Sequence, residues 1–246
     1  MNLVFRYLML FCMVSAFAKV NAQNVGLYNG SLSAASNSLK GKLTGEVYYL
    51  PPRANTNYYV EKEWIKATIE LKTGEVFNNV SCRYSNFEDE LIYFNDNIKA
   101  LVKADKEKVS GFTLNYELSG KNRPDVTYVN IDSVSNIVNT NYFECLYRGK
   151  VMLLVANRIS ELKVSPYNDS SGILRDTEFV ARKATYIYSP TMGLNRVKFS
   201  NHSIANAFPE NEKTVLKLLR QNKIRISDGF SAAKALDLIE KAGLTR

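Results

Sequence analysis

The chain has 246 residues, with 32 Lys and Arg against 24 Asp and Glu, a net charge of +8. One histidine, His202, three cysteines and no Cys-x-x-Cys exclude a recognisable zinc site and count against Cys–His or Ser–His nucleophilic catalysis. No cofactor motif is present, and Tyr, Phe, Val and Ile are plentiful enough for a packed β core without staples.

At the start of the chain, Arg6, an apolar run from Leu8 to Phe17 and the small residues of Val20-Asn21-Ala22 predict a signal peptide over 1–22. The run is too short to span a bilayer as a stable helix. Leu10-Phe11 precede Cys12, where a lipoprotein site has a small residue. The expectation is an exported protein, periplasmic or extracellular, with no transmembrane helix in its mature form. Losing Arg6 and Lys19 lowers the net charge from +8 to +6. That excess either solvates the surface or favours anionic partners such as lipopolysaccharide, phospholipid head groups or acidic glycans. Export and the lack of a dense Lys/Arg stripe interleaved with aromatics argue against nucleic acid.

Residues 23–44, rich in Ser, Asn and Gly without periodicity, predict a flexible lead. An antiparallel β domain is expected over 45–202, opening with a strand at 46–50 that Pro51-Pro52 ends. In 64–71, Ile65, Ala67, Ile69 and Leu71 fall on one face and Lys66, Thr68 and Glu70 on the other, the period of a half-buried strand. Gly74 supplies the positive φ of a hairpin loop, and strands follow at 76–84, 91–94, 98–103 and 112–116 as a meander. A turn cluster at 120–125 leads to a strand at 126–132. Residues 142–147 and 151–156 form a hairpin around Arg148-Gly149-Lys150, and 178–188 pairs with 196–199; the polar stretch 165–176 reads as a loop.

From Ser203 the period changes to that of helices. Val215, Leu218 and Leu219 share a face in 210–222, with Leu218 and Leu219 as the expected anchors. Ala235, Leu238, Ile239 and Ala242 do so in 231–242, with Ser227 or Asp228 as cap and Gly243 as stop. The predicted fold is therefore mainly β, an antiparallel sandwich or strongly curved sheet with two C-terminal helices (203–246) packed on it. Lys213, Lys217, Arg220, Lys223 and Arg225 also permit an interfacial helix on anionic lipid.

The strand ending Cys82-Arg83-Tyr84, the hairpin from Phe143 to Val151 and the tail Val215-Leu216-Lys217-Leu218-Leu219 resemble uncharacterised secreted β-rich proteins of Bacteroidota. The resemblance implies a fold and an exported destination, with no activity and no catalytic residues. Cys145 stands where those proteins carry an aliphatic residue, so it implies no family-wide disulfide. Read from the residues, Cys82 and Cys145 are either one disulfide or two buried thiols.

Tyr48, Tyr58 and Trp64 flank the 51–57 loop and are the candidate ligand-binding residues, able to stack on sugar faces if they are not core. Glu88-Asp89-Glu90 and Asn95-Asp96-Asn97 crowd oxygens near two turns, without an EF-hand pattern. They are either solvated turns or part of a carboxylate pair. The functional expectation is a non-enzymatic binding or structural module of the envelope, with a glycan, lipid or protein partner. The alternative is a carboxylate-dependent glycoside hydrolase, which needs two carboxylates about 5–9 Å apart across a cleft.

Overall fold

Alternation at 65–71 becomes strand β2, Ile65–Leu71, whose apolar residues are all buried while Lys66 and Glu70 stay exposed. In the computed structural model, which describes residues 43–49, 58–132, 141–172 and 174–245, this strand lies inside one antiparallel sheet. All of these residues belong to the compact unit Leu43–Arg246. The signal peptide, most of the 23–44 lead and the 51–57 loop lie outside the described residues.

The other strands of the first half are β1 (Gly45–Val47), β3 (Val76–Ser85), β4 (Glu90–Asn95), β5 (Ala100–Ala104), β6 (Val109–Asn115) and β7 (Val126–Asn130). The second half adds β8 (Tyr142–Arg148), β9 (Met152–Asn168), β10 (Leu174–Ser189) and β11 (Gly193–Val197). Their order in the sheet is β1-β5-β4-β3-β2-β6-β7-β8-β9-β10-β11. The meander therefore holds from β2 to β5, but β6 returns to pair with β2 rather than β5. One continuous sheet is present, not two layers. Gly74 has the expected positive φ, +86°, between β2 and β3.

Spacing shows how far this sheet bends. Tyr84 on β3 and Tyr142 on β8 are four strands apart, about 19 Å in a flat sheet. Their ring centroids are 5.8 Å apart. Phe112 and Tyr128 fill the space between, at 4.8–5.3 Å from each other and from Tyr84. The first half thus buries one face against itself. Farther along, the Ile159 N–H donates to the Asn86 carbonyl at 3.1 Å, tying β9 to the β3–β4 turn.

Asp89 in that turn corrects the reading of a solvated acidic loop. Its φ is +60° and its side chain is buried. The carboxylate accepts from the Tyr84 hydroxyl and the Asn141 N–H, both at 2.7 Å, and has Lys106 at 3.5 Å and Arg158 at 3.9 Å. Four separate segments converge on one buried charge, which needs such partners to be tolerated.

In the second half the same sheet is covered by helices α1 (Asn201–Ala205), α2 (Glu212–Gln221) and α3 (Gly229–Lys241). The short α1 adds to the two expected and begins before Ser203. Val151, Leu153, Ile187 and Val197 of the sheet region meet Ile204, Phe208, Val215, Leu219 and Ile239. Asp228, rather than Ser227, caps α3 through a capping box with Ser231. Leu219 is fully buried, whereas Leu218 is only partly buried at the margin of the stripe set by Val215 and Leu219. No helix among the described residues is long and apolar enough to cross a membrane.

The stretch read as a loop at 165–176 is largely strand. β9 and β10 pair from Tyr188↔Met152 out to Leu174↔Asn168, with a register shift between Arg175 and Thr177. The ladder with β8 ends at Val155 and that with β11 at Thr185. Beyond them, residues 157–168 and 174–184 form a two-stranded ribbon about 36 Å long. Both of its faces meet solvent over much of its length, so no apolar alternation marks it in the sequence.

Candidate functional site

Where the ribbon's base approaches the curled half, a cleft of about 550 Å³ opens. Its floor follows strand register. Tyr128 stands opposite Glu144, and Asn157 opposite Lys183, with Arg158 opposite Arg182. The Asn157 amide donates to Glu144 Oε2 at 2.6 Å, linking β9 to β8 across the floor. Tyr116, Arg123 and Pro124 form one wall, from the end of β6 and the turn after it; Tyr59, Val60 and Asn86 form the other.

Charge dominates this lining. Arg123, Arg158, Arg182 and Lys183 supply four cations, and Glu144 is the one carboxylate among the described lining residues. Arg123 lies 3.5 Å over the Tyr116 ring and pairs with Glu61. Burial alone would raise the Glu61 carboxyl. Hydrogen bonding and charge from Lys121, the Arg123 cation and the Tyr116 hydroxyl outweigh it and hold the carboxyl below its ordinary value. Arg182 and Lys183 are exposed and have no carboxylate within ion-pairing distance among the described residues. Burial, then the Glu61 charge, pushes the Tyr116 hydroxyl up to about 12; burial and then Glu144 also raise Tyr128. Both phenols therefore stay neutral hydrogen-bonding groups at ordinary pH.

The three aromatic candidates do not meet in one platform. Tyr58 is stacked on Phe87 at 4.6 Å with Phe179 of the ribbon edge-on at 4.9 Å, a hydrophobic fastening between β10 and the β3–β4 turn. Trp64 lies under the Arg83 guanidinium at 5.0 Å, which also lies 5.4 Å from the Tyr59 ring. Tyr48 places its hydroxyl 3.4 Å from that of Tyr59 and donates to Glu88 at 3.3 Å. None of the three lines the cleft; their neighbour Tyr59 does. The isolated bridge Tyr59↔Ser85 sets Tyr59 at that wall.

Cys82 and Cys145 are free thiols in different clusters, so the disulfide considered from sequence is not made. Burial pushes Cys82 up to about 12 and also raises Cys145, which leaves neither as a reactive thiolate. Asp89 and Glu90 share Lys106, at 3.5 and 3.2 Å, instead of facing each other across a groove. No three His, Cys, Asp or Glu side chains among the described residues form a metal-binding group.

No protein-family model, curated protein or solved structure matches the chain. The cleft's chemistry is the ground for a functional reading. Of its residues, sequence pattern marks only the turn holding Arg123 and the aromatic run that includes Tyr59. Glu144, Arg158, Arg182 and Lys183 come from strands remote in sequence and carry no local signature.

Proposed function

We propose that the protein is an exported, non-enzymatic binding module of the cell envelope that holds an acidic glycan in the cleft between the ribbon and the curled half-sheet. The observation that carries this reading is the cation excess of the lining, four cations against one carboxylate among the described residues. Guanidinium groups pair with carboxylate or phosphate in a fork. Asn86, Asn157 and the tyrosine hydroxyls supply the mixed donors and acceptors that sugar hydroxyls need. The volume lies within the range of about 300–1,000 Å³ typical of small-molecule sites. Export rests on Arg6, the Leu8–Phe17 run and Val20-Asn21-Ala22. The hydrolase alternative lacks, among the described lining residues, a second carboxylate to face Glu144.

Calorimetric titration of the purified chain with an oligogalacturonate and with a neutral oligosaccharide of equal length tests the reading. The acidic ligand is expected to bind, more weakly as salt rises, and Arg182→Ala/Lys183→Ala to weaken it at least tenfold. Equal binding of both sugars, binding of neither, or release of reducing ends from the ligand overturns it.

A further inference from the structure

A second cationic surface lies on the helical tail. From Lys213 to Ser227 the chain carries Lys213, Lys217, Arg220, Lys223 and Arg225 and no acidic residue. The fold gathers part of this charge. A groove of about 360 Å³ is lined by His202 of α1, Arg220 of α2 and Lys223 and Arg225 of the link that follows, over an apolar floor of Leu216 and Ile224.

The groove is built rigidly from main-chain geometry. Lys223 takes a left-handed φ of +52°, and the Ile224 N–H returns to the Leu219 carbonyl at 2.9 Å. Asn201 clamps the link to α1: its amide donates to the Ile224 carbonyl at 2.8 Å, and its Oδ1 accepts from the Ile226 N–H at 2.9 Å. With Ile224 partly buried against the helical core, Arg220, Lys223 and Arg225 are left exposed. None has a carboxylate within ion-pairing distance among the described residues. Three of the tail's five acidic residues are engaged elsewhere: Asp228 caps α3, Asp237 pairs with Lys241, and Glu240 accepts from Tyr147 and the Lys150 N–H; the other two, Glu210 and Glu212, lie at the opposite end of α2 from Arg220. Five residues after Arg225, Phe230 opens α3 with 83% of its surface exposed.

Fixed cations without counter-charges, followed five residues on by a large exposed aromatic, match the two parts of an anionic bilayer surface, phosphates above and acyl chains below. We propose that this face of the tail docks the protein on anionic phospholipid, with Arg220, Lys223 and Arg225 against head-group phosphates and Phe230 inserted at the acyl boundary. The helices bury their other side on the sheet, so docking needs no unfolding.

Co-sedimentation of the full chain with vesicles of phosphatidylcholine alone, or of phosphatidylcholine mixed with phosphatidylglycerol to make the surface negative, tests the proposal. The readout is the preference for the anionic vesicles. It is expected to fall with salt and to drop at least tenfold in Arg220→Ala/Arg225→Ala, since each cation near such a surface contributes about fivefold. Phe230→Ser is expected to weaken binding to the anionic vesicles with folding intact by circular dichroism. The cleft variant Arg182→Ala/Lys183→Ala is expected to keep the vesicle preference, which separates this surface from the glycan reading. No preference for anionic vesicles, or a preference unchanged by Arg220→Ala/Arg225→Ala, overturns the proposal. Binding of soluble acidic oligosaccharide or RNA at the groove without vesicle binding does so too.

Discussion

The two halves of one sheet bury the same kind of surface by different means. In the first half the rings of Tyr84, Phe112 and Tyr128, closed by Tyr142 from the first strand of the second half, fill a bend, and the sheet supplies both sides of its own core. In the second half the sheet presents smaller aliphatics, Leu153, Ile187 and Val197, and three helices provide the opposing side. Large aromatics span the gap inside a curl, whereas short side chains leave it for another layer to fill. The curl is fastened by the buried carboxylate of Asp89, whereas the helical layer is tied to its sheet by the half-buried carboxylate of Glu240.

The largest expected effects fall on the curled half. Asp89→Ala removes the carboxylate beside Arg158 and one of the two on Lys106, and takes the acceptor from the Asn141 N–H. It is expected to cost about 3–5 kcal/mol in a urea melt, as for a broken buried pair. Phe112→Ala, which empties the centre of the ring cluster, is expected to cost a similar amount, about 3–5 kcal/mol. A loss below about 1 kcal/mol at both would mean that the bend holds without its fastening and its filling.

Next come the helices. Leu219→Ala is expected to cost about 2–5 kcal/mol, and Leu218→Ala clearly less, because only Leu219 is enclosed. Equal losses would place the apolar stripe where sequence alone puts it, on both residues. The comparison sharpens if Leu219→Ala gives an early separate transition, because the helical layer would then be the less stable unit.

A smaller effect tests how that layer is docked. A Cβ at Gly149 would lie 2.1 Å from Glu240 Oε2, the atom that accepts from Tyr147 and the Lys150 N–H. Gly149→Ala is expected to displace that carboxylate and cost about 1–3 kcal/mol through the two lost hydrogen bonds. In a Glu240→Ala background the same change is expected to cost less, with a coupling of about 1 kcal/mol read from the double-mutant cycle.

The smallest effect is a pH dependence at the cleft wall. Glu61 is held below its ordinary carboxyl value in the folded chain, so acidification protonates the unfolded chain first. Its contribution is present above the ordinary glutamate range and is lost as pH falls through the depressed folded value. Glu61→Gln is expected to flatten stability against pH in that window and to remove at neutral pH the small contribution that the parent loses on acidification. A profile as steep as the parent's would assign the acid sensitivity to another carboxylate.

Period and turn chemistry are local, and so were legible. The alternation of Ile65, Ala67, Ile69 and Leu71, the Gly74 turn, the Arg148-Gly149-Lys150 hairpin and the Asp228 cap all appear in the structure where residue order places them. The sequence by itself thus determined that the protein is an antiparallel β fold with helices at its end. It did not determine what met across that fold. β6 pairing with β2, the bend that brings Tyr84 to Tyr142, and the burial of Asp89 depend on contacts between segments tens of residues apart. The exposed ribbon carries no apolar alternation because it buries no continuous face: Phe179 and the Ile159 N–H tie it to the β3–β4 turn, and its ladder holds the rest. The cleft is the sharpest case: Arg123, Glu144, Arg158 and Arg182 each look like an ordinary solvated charge in its own strand or turn. Only the curl of the sheet against the ribbon's base sets them around one space, because convergence is a property of the closed surface and not of any window of the chain.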